Sequence, residues 1–108
     1  MSTPLAPALK TQLDQLVANH PVLIFMKGDL NFPACGFSAR AVQALKLAGF
    51  QNIHAVDVLA DNAIREGIKL YSNWPTIPQV YIRGQFIGGS DIVLEMLQSG
   101  ELQKLNQA

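Results

Sequence analysis

Residues 22 to 45 read VLIFMKGDLNFPACGFSARAVQAL. The five apolar residues from Val22 to Met26 are bounded by Pro21 and by Lys27-Gly28, which is the pattern of a strand covered on both faces and central in a sheet. From Gly36 onward the period changes. Phe37, Ala41, Ala44, Leu45 and Ala48 share one helical stripe, Arg40, Gln43 and Lys46 lie mostly away from it, and Gly49 can cap the end. A strand thus feeds a helix, and the chain's one cysteine, Cys35, stands at the start of that helix.

The flanking segments supply the remaining layers. After Pro7, the residues Leu9, Leu13, Leu16 and Val17 recur at helical spacing until Asn19-His20-Pro21 stops them. IHAVDV, 53 to 58, reads as a strand, and Asp61 can N-cap a helix that turns Ile64, Ile68 and Tyr71 inward. QVYIRGQFIGG, 79 to 89, reads as two short strands joined at Arg83-Gly84-Gln85. Ser90 and Asp91 open a helix carrying Ile92, Val93, Met96 and Leu97, with Gly100 as its stop and a final turn around Leu102 and Leu105. The order α-β-α-β-α-β-β-α predicts one α/β domain over residues 1–108, a three-layer fold with a four-stranded mixed sheet flanked by helices. Its first two strands are parallel, joined by a right-handed crossover.

Composition narrows the function classes. A chain of 108 residues that is 49% hydrophobic and 15% charged is expected to be globular. Eight basic residues balance eight acidic ones, so no nucleic-acid partner is expected. No apolar run approaches the roughly 20 residues needed to cross a bilayer, so no membrane partner is expected either. A lone cysteine forms no internal disulfide, and no N-terminal targeting pattern is visible, which predicts a reducing, cytoplasmic setting.

At a helix N-terminus, unpaired backbone N–H groups and the positive end of the helix dipole favour a thiolate at Cys35 over the thiol. Lys27, at the end of the apolar strand, can approach and add its charge. The plain alternative is that a lone cysteine is a small buried hydrophobe. Ser38 occupies the place of the resolving thiol in a Cys-x-x-Cys oxidoreductase, so any redox cycle must borrow an outside thiol. His20 and His54 stand in no metal-ligand spacing and read as structural or surface residues.

MKG, PACGFS and YSNWPTIPQVYIRGQFIGGSDI, in that order, resemble a monothiol glutaredoxin of the Cys-Gly-Phe-Ser class, over about Pro21 to Leu105. The resemblance implies a thioredoxin-like fold, glutathione as cofactor, and a role in assembling and transferring 2Fe-2S clusters, with at most weak activity as an oxidoreductase. Four ligands hold such a cluster. Two chains supply two Cys35 thiolates and two glutathiones supply the rest, which implies a cluster-bound homodimer.

In this reading Cys35 is both the reactive residue and the metal ligand. Lys27, Arg65 and Lys69 bind the glycine carboxylate of glutathione, the last two from one face of a helix at i, i+4 spacing. The N–H groups of Ser90 and Asp91 bind its γ-glutamyl carboxylate, and Asp91 also meets the free amine. A cis Ile77–Pro78 bond, by resemblance, aims the Ile77 backbone at the glutathione cysteine. Gly36 lets the cofactor approach, and Phe37 supports it while packing chiefly in the core. Taken without the resemblance, Arg65 and Lys69 are a solvated basic stripe and Gly88-Gly89-Ser90 is a turn with a serine cap. Many relatives carry cysteine in place of Ser90, so regulation through that thiol is not expected here. The implied partners are iron-sulfur acceptor apoproteins and a BolA-like protein. Two alternatives stand beside the carrier: a glutathione-dependent oxidoreductase that removes glutathione from substrates, and a redox-inert interaction module. The loop GDLNFPA, 28 to 34, bears on the first of these, since by resemblance a loop of this length marks the cluster-carrying members.

Overall fold

A computed structural model describes residues 5–107. Part of the lead-in before Pro7, at residues 1–4, and Ala108 lie outside the described residues, as do those ends of the expected 1–108 span. Nine elements follow one another: α1 (Pro7–Asn19), β1 (Val22–Met26), α2 (Gly36–Leu47), β2 (His54–Asp57), α3 (Asn62–Ser72), β3 (Gln79–Ile82), β4 (Gln85–Gly88), α4 (Ser90–Ser99) and α5 (Glu101–Gln107).

The strands form one mixed sheet in the order β2-β1-β3-β4, with β1 parallel to β2 and antiparallel to β3. All five β1 residues are buried because alternate side chains enter two different layers. Val22, Ile24 and Met26 join Ala41, Val42, Leu45, Val80 and Val93 beneath α2 and α4. Leu23 and Phe25 join Leu13, Val17, Ile64, Ile68 and Tyr81 beneath α1 and α3. Each fully buried side chain of this kind contributes roughly 1.5–3 kcal/mol, so the continuous apolar strand places the sheet at the centre of both cores.

Local chemistry ends the elements where the residues demand. Pro7 opens α1, Asp61 Oδ1 accepts the Ile64 N–H at the start of α3, and Gly49 follows α2 at φ +97°. Arg83 and Gly84 take positive φ at the centre of the two-residue β3–β4 turn, where the right-handed strand twist requires it. Tyr71 is half-buried, and its hydroxyl donates to Asp14 Oδ1 at 2.6 Å, tying α3 to α1. Burial and the bond to this carboxylate push the Tyr71 phenol up to about 12.

Several expectations are corrected. Phe37 is not in the core: it is 56% exposed, in the first turn of α2, with the Arg40 guanidinium 5.3 Å from its ring centroid. The helical stripe reaches Phe37, but at this end of α2 the neighbouring segments leave a cavity rather than a closed core. Ser90 is not the cap of α4. Gly89 is the N-cap, and Ser90 is the first helical residue, buried, with no hydrogen-bond partner for its hydroxyl. The final turn is a helix, α5, with Leu102 fully buried against the α2–α4 layer. The second strand is shorter than expected, because Ile53 and Val58 flank its ladder.

His20 and His54 come together, with ring centroids 3.7 Å apart and planes 4° from parallel. Loss of water around the stacked ring, and then the neighbouring His20, hold the His54 imidazole below its usual value of 6.5. The neutral ring is therefore favoured more in the fold than in the unfolded chain. Its stabilisation is complete above the unfolded value and is lost as pH falls through it toward the lower folded value. His54→Asn is expected to flatten the small decline in urea midpoint between about pH 7 and pH 5. The effect is small because the residue is exposed, and an unaltered slope would show that the stack contributes nothing.

Candidate functional site

The end of β1 and the start of α2 meet at one buried hydroxyl. Ser38 is fully buried, and its Oγ accepts the Lys27 backbone N–H at 3.1 Å. The same oxygen lies 3.4 Å from Cys35 Sγ, and the Ser38 backbone N–H donates to that sulfur, also at 3.4 Å. Cys35 is the N-cap of α2, so its sulfur performs the task that an oxygen performs at most helix starts. With the thiol protonated, S–H donates to Ser38 Oγ. With a thiolate, the Ser38 hydroxyl can turn its hydrogen toward sulfur while Lys27 N–H still occupies one of its lone pairs.

Burial is the largest single influence on Cys35 and raises its pKa. The bond from the Ser38 hydroxyl, the Ser38 and Phe37 backbone N–H groups and the Lys27 charge together outweigh it, so the pKa is lowered. Cys35 is half-buried and belongs to neither buried core cluster, which argues against the plain reading of a packing residue. A Cβ on Gly36 would find only an Arg40 nitrogen, at 4.0 Å, so the surface beside the sulfur is open to an incoming group.

The seven residues from Gly28 to Ala34 form a tight loop. Asp29 Oδ1 accepts the N–H groups of Asn31 and Phe32 at 2.9 and 2.8 Å, and Ala34 N–H returns to the Lys27 carbonyl at 2.8 Å. Asp57 Oδ1, at the end of β2, accepts Gly28 N–H at 3.0 Å and Leu59 N–H at 2.9 Å. Gly28 has φ +85°, and a Cβ there would lie 2.4 Å from the Phe32 carbonyl oxygen. The loop is therefore closed on itself, with Phe32 turned outward and 79% exposed.

A second cluster forms where β3 begins and α4 starts. A cavity of about 230 Å³ is lined by Phe37, Trp74, Thr76, Pro78, Ser90 and Asp91, among others, so three of the residues singled out from sequence share its walls. The Ile77–Pro78 bond is cis. The first N–H groups of α4 belong to Ser90 and Asp91. Arg65 and Lys69 lie one turn apart on α3, but Lys69 is not a free cation, because its ammonium pairs with Glu66 at 3.1 Å. Arg65 Nε is buried without a hydrogen-bond partner. Among the described residues no hydrogen bond or ion pair links Arg65 or Lys69 to Lys27 or Cys35. Nor do the described residues contain a group of three or more His, Cys, Asp and Glu that could hold a metal ion. One cysteine per chain, half-buried beside an open surface, fits a ligand set completed from outside.

Sequence reasoning gave Ser38 only the negative role of a missing thiol and left Trp74 and Gln79 unmentioned as individual residues. The Ser38 signal was present, since position i+3 from an N-cap is where a side chain meets the cap. Trp74 and Gln79 carry no such local signal.

The Glutaredoxin family profile matches residues 22–87. A protein from Synechocystis sp., "Uncharacterized monothiol glutaredoxin ycf64-like", is 54% identical over 99 residues, covering 92% of each chain. Two longer relatives are covered over 59% and 19% of their lengths. The solution structure of reduced poplar apo GrxS14 superposes with a TM-score of 0.81 at 50% identity, covering 95% of this chain and 94% of that one. The crystal structure of a buckwheat glutaredoxin-glutathione complex superposes with a TM-score of 0.78 at 25% identity, covering 91% and 86%.

The rate of Cys35 alkylation by iodoacetamide is expected to rise with pH at a midpoint below that of a free thiol. Ser38→Ala should move the midpoint up and destabilise the fold by about 1–2 kcal/mol, because Lys27 N–H loses its acceptor. An unshifted midpoint in that variant would remove the hydroxyl from the account. Gly28→Ala should cost about 2–4 kcal/mol in urea unfolding, from the left-handed backbone and the overlap with the Phe32 carbonyl; a neutral result would mean that the loop is not closed as described.

Proposed function

Because the chain belongs to the glutaredoxin family, in its monothiol branch, we propose that it binds glutathione beside Cys35. As a pair of chains it then carries a 2Fe-2S cluster as cargo, for delivery to acceptor apoproteins. The observation that carries this reading is the single sulfur: Cys35 has a lowered pKa beside an open surface, and the group 3.4 Å away is a hydroxyl where a second thiol would be. Such a chain can offer one soft ligand and no internal resolving group. A cluster requires four ligands, so two chains and two glutathione thiolates meet the count.

In this reading the cysteine of glutathione lies against the Ile77 backbone and its γ-glutamyl carboxylate accepts the first N–H groups of α4, at Ser90 and Asp91. Its glycine carboxylate is met by Lys27 and Arg65, and by Lys69 once that ammonium exchanges Glu66 for the ligand. Gly36 leaves room for the cargo, and Phe37 forms a wall of the glutathione pocket. The bound glutathione of the buckwheat relative supports this ligand class. A BolA-like protein and apoproteins awaiting clusters are the proposed partners, in a reducing compartment such as the cytoplasm. Among the described residues no helix is long and apolar enough to cross a membrane.

The lowered Cys35 pKa also favours a second reading, glutathione-dependent thiol-disulfide exchange. The Cys35 thiolate would attack a glutathionylated substrate and release the substrate thiolate. A second glutathione thiolate would then attack the mixed disulfide, freeing Cys35 and oxidised glutathione.

Anaerobic reconstitution with iron, sulfide and glutathione separates the two. The carrier is expected to yield a coloured dimer with one cluster and two glutathiones per pair of chains, while Cys35→Ser stays colourless and monomeric. A colourless monomer from the wild type, together with fast reduction of a glutathionylated peptide, would transfer the assignment to the second reading.

A further inference from the structure

Gln79 opens a strand whose other residues, Val80, Tyr81 and Ile82, are apolar, and its side chain is completely buried. A buried amide without partners costs roughly 1–3 kcal/mol, so its bonds account for its presence there. Both Nε2 hydrogens point backward along the chain, to the Trp74 carbonyl at 3.0 Å and the Thr76 carbonyl at 3.2 Å. These two acceptors also settle the amide orientation, since the reversed group would set oxygen against oxygen. Oε1 is left buried with no partner. The position therefore retains a polar group for its two donors despite the cost of an unsatisfied acceptor.

We infer that Gln79 is a positioning residue for the ligand pocket, an inference that rests on the glutathione reading above. The carbonyls it holds belong to the segment between α3 and β3, of which Trp74, Thr76 and Pro78 line the cavity and Ile77 lies between them. Fixing the carbonyls on either side of Pro75 fixes the peptide planes that lead into Ile77, whose backbone is the part offered to the ligand. The other end of the segment is tied to α3, since Trp74 N–H donates to the Lys69 carbonyl at 3.1 Å and to Ser72 Oγ at 3.2 Å. One side-chain amide beneath the sheet surface thereby holds the Ile77 edge in register with the helix that carries Arg65 and Lys69. Gln79 itself has no exposed surface and does not line the cavity, so it acts through the segment it holds.

Trp74 is the only tryptophan in the chain, so the segment carries its own reporter. Gln79→Met preserves length and bulk but removes both donors. It is expected to make Trp74 emission red-shifted and more readily quenched by acrylamide, and to weaken glutathione binding by about tenfold or more, the equivalent of two hydrogen bonds. Gln79→Glu sets a carboxyl against two carbonyls, which raises its pKa. Once protonated it can restore one bond, so its affinity deficit relative to wild type at the same pH should narrow as pH falls. A general loss of structure would not produce that profile. The Cys35 alkylation midpoint should be unchanged in both variants, because the groups that bond to its sulfur are on α2.

If Gln79→Met melts cooperatively yet matches wild type in quenching and within twofold in affinity, the inference is wrong. If Gln79→Met does not fold, the pH series on Gln79→Glu decides, and a deficit that does not change with pH overturns it. Should the wild type bind no glutathione, the functional reading falls, and Trp74 quenching in Gln79→Met still decides whether this amide holds the segment.

Discussion

The hydroxyl of Ser38 is the point on which the reactive end of the molecule depends. It has no solvent exposure, and it meets both the backbone N–H that closes β1 and the sulfur that opens α2. A parallel strand-helix unit always brings strand end and helix start together, but a hydrogen bond across that junction sets their distance. Here one oxygen does so and leaves its own hydrogen available to a thiolate. The same hydroxyl thus serves structure and chemistry: a shift of α2 along the sheet would break its bond to the Lys27 N–H, whereas its contact with Cys35 would travel with the helix.

Around that junction, rigidity is supplied from three sides by side chains that bind backbone. Asp57 reaches from β2 to the two amides at positions 28 and 59, Asp29 closes the loop on itself, and Gln79 holds the segment leading to Pro78. Segments without regular structure would otherwise leave their polar backbone groups to water and move with it. With these groups satisfied, an open surface beside Cys35 is bordered by ordered chain, so a bound tripeptide would need to lose its own freedom but little of the protein's.

Much of the architecture was legible before any coordinates, because each element carries its period and its stop signals locally. The continuous run at Val22–Met26 reads as central, and it is central; Asp61 caps α3, and Arg83-Gly84 turns the hairpin. What lies opposite a residue is less legible. Phe37, expected in the core, is more than half exposed and borders a cavity, Lys69 pairs with Glu66, and the two histidines stack in a way that no spacing encodes.

For the candidate site the division is similar. By itself the sequence determined the sulfur, its place before a helix, the absent second thiol and the residue types suited to two carboxylates, since these depend on neighbours within a few positions. Only tertiary structure decided that Ser38 turns inward beside the Cys35 sulfur and that Gln79 reaches back to the Trp74 and Thr76 carbonyls. It also brought Phe37, Ser90 and Asp91 to one cavity. The physical reason is that hydrogen bonds and cavities belong to pairs of surfaces. Periodicity tells which face of an element is apolar, whereas what meets that face depends on how the layers are packed.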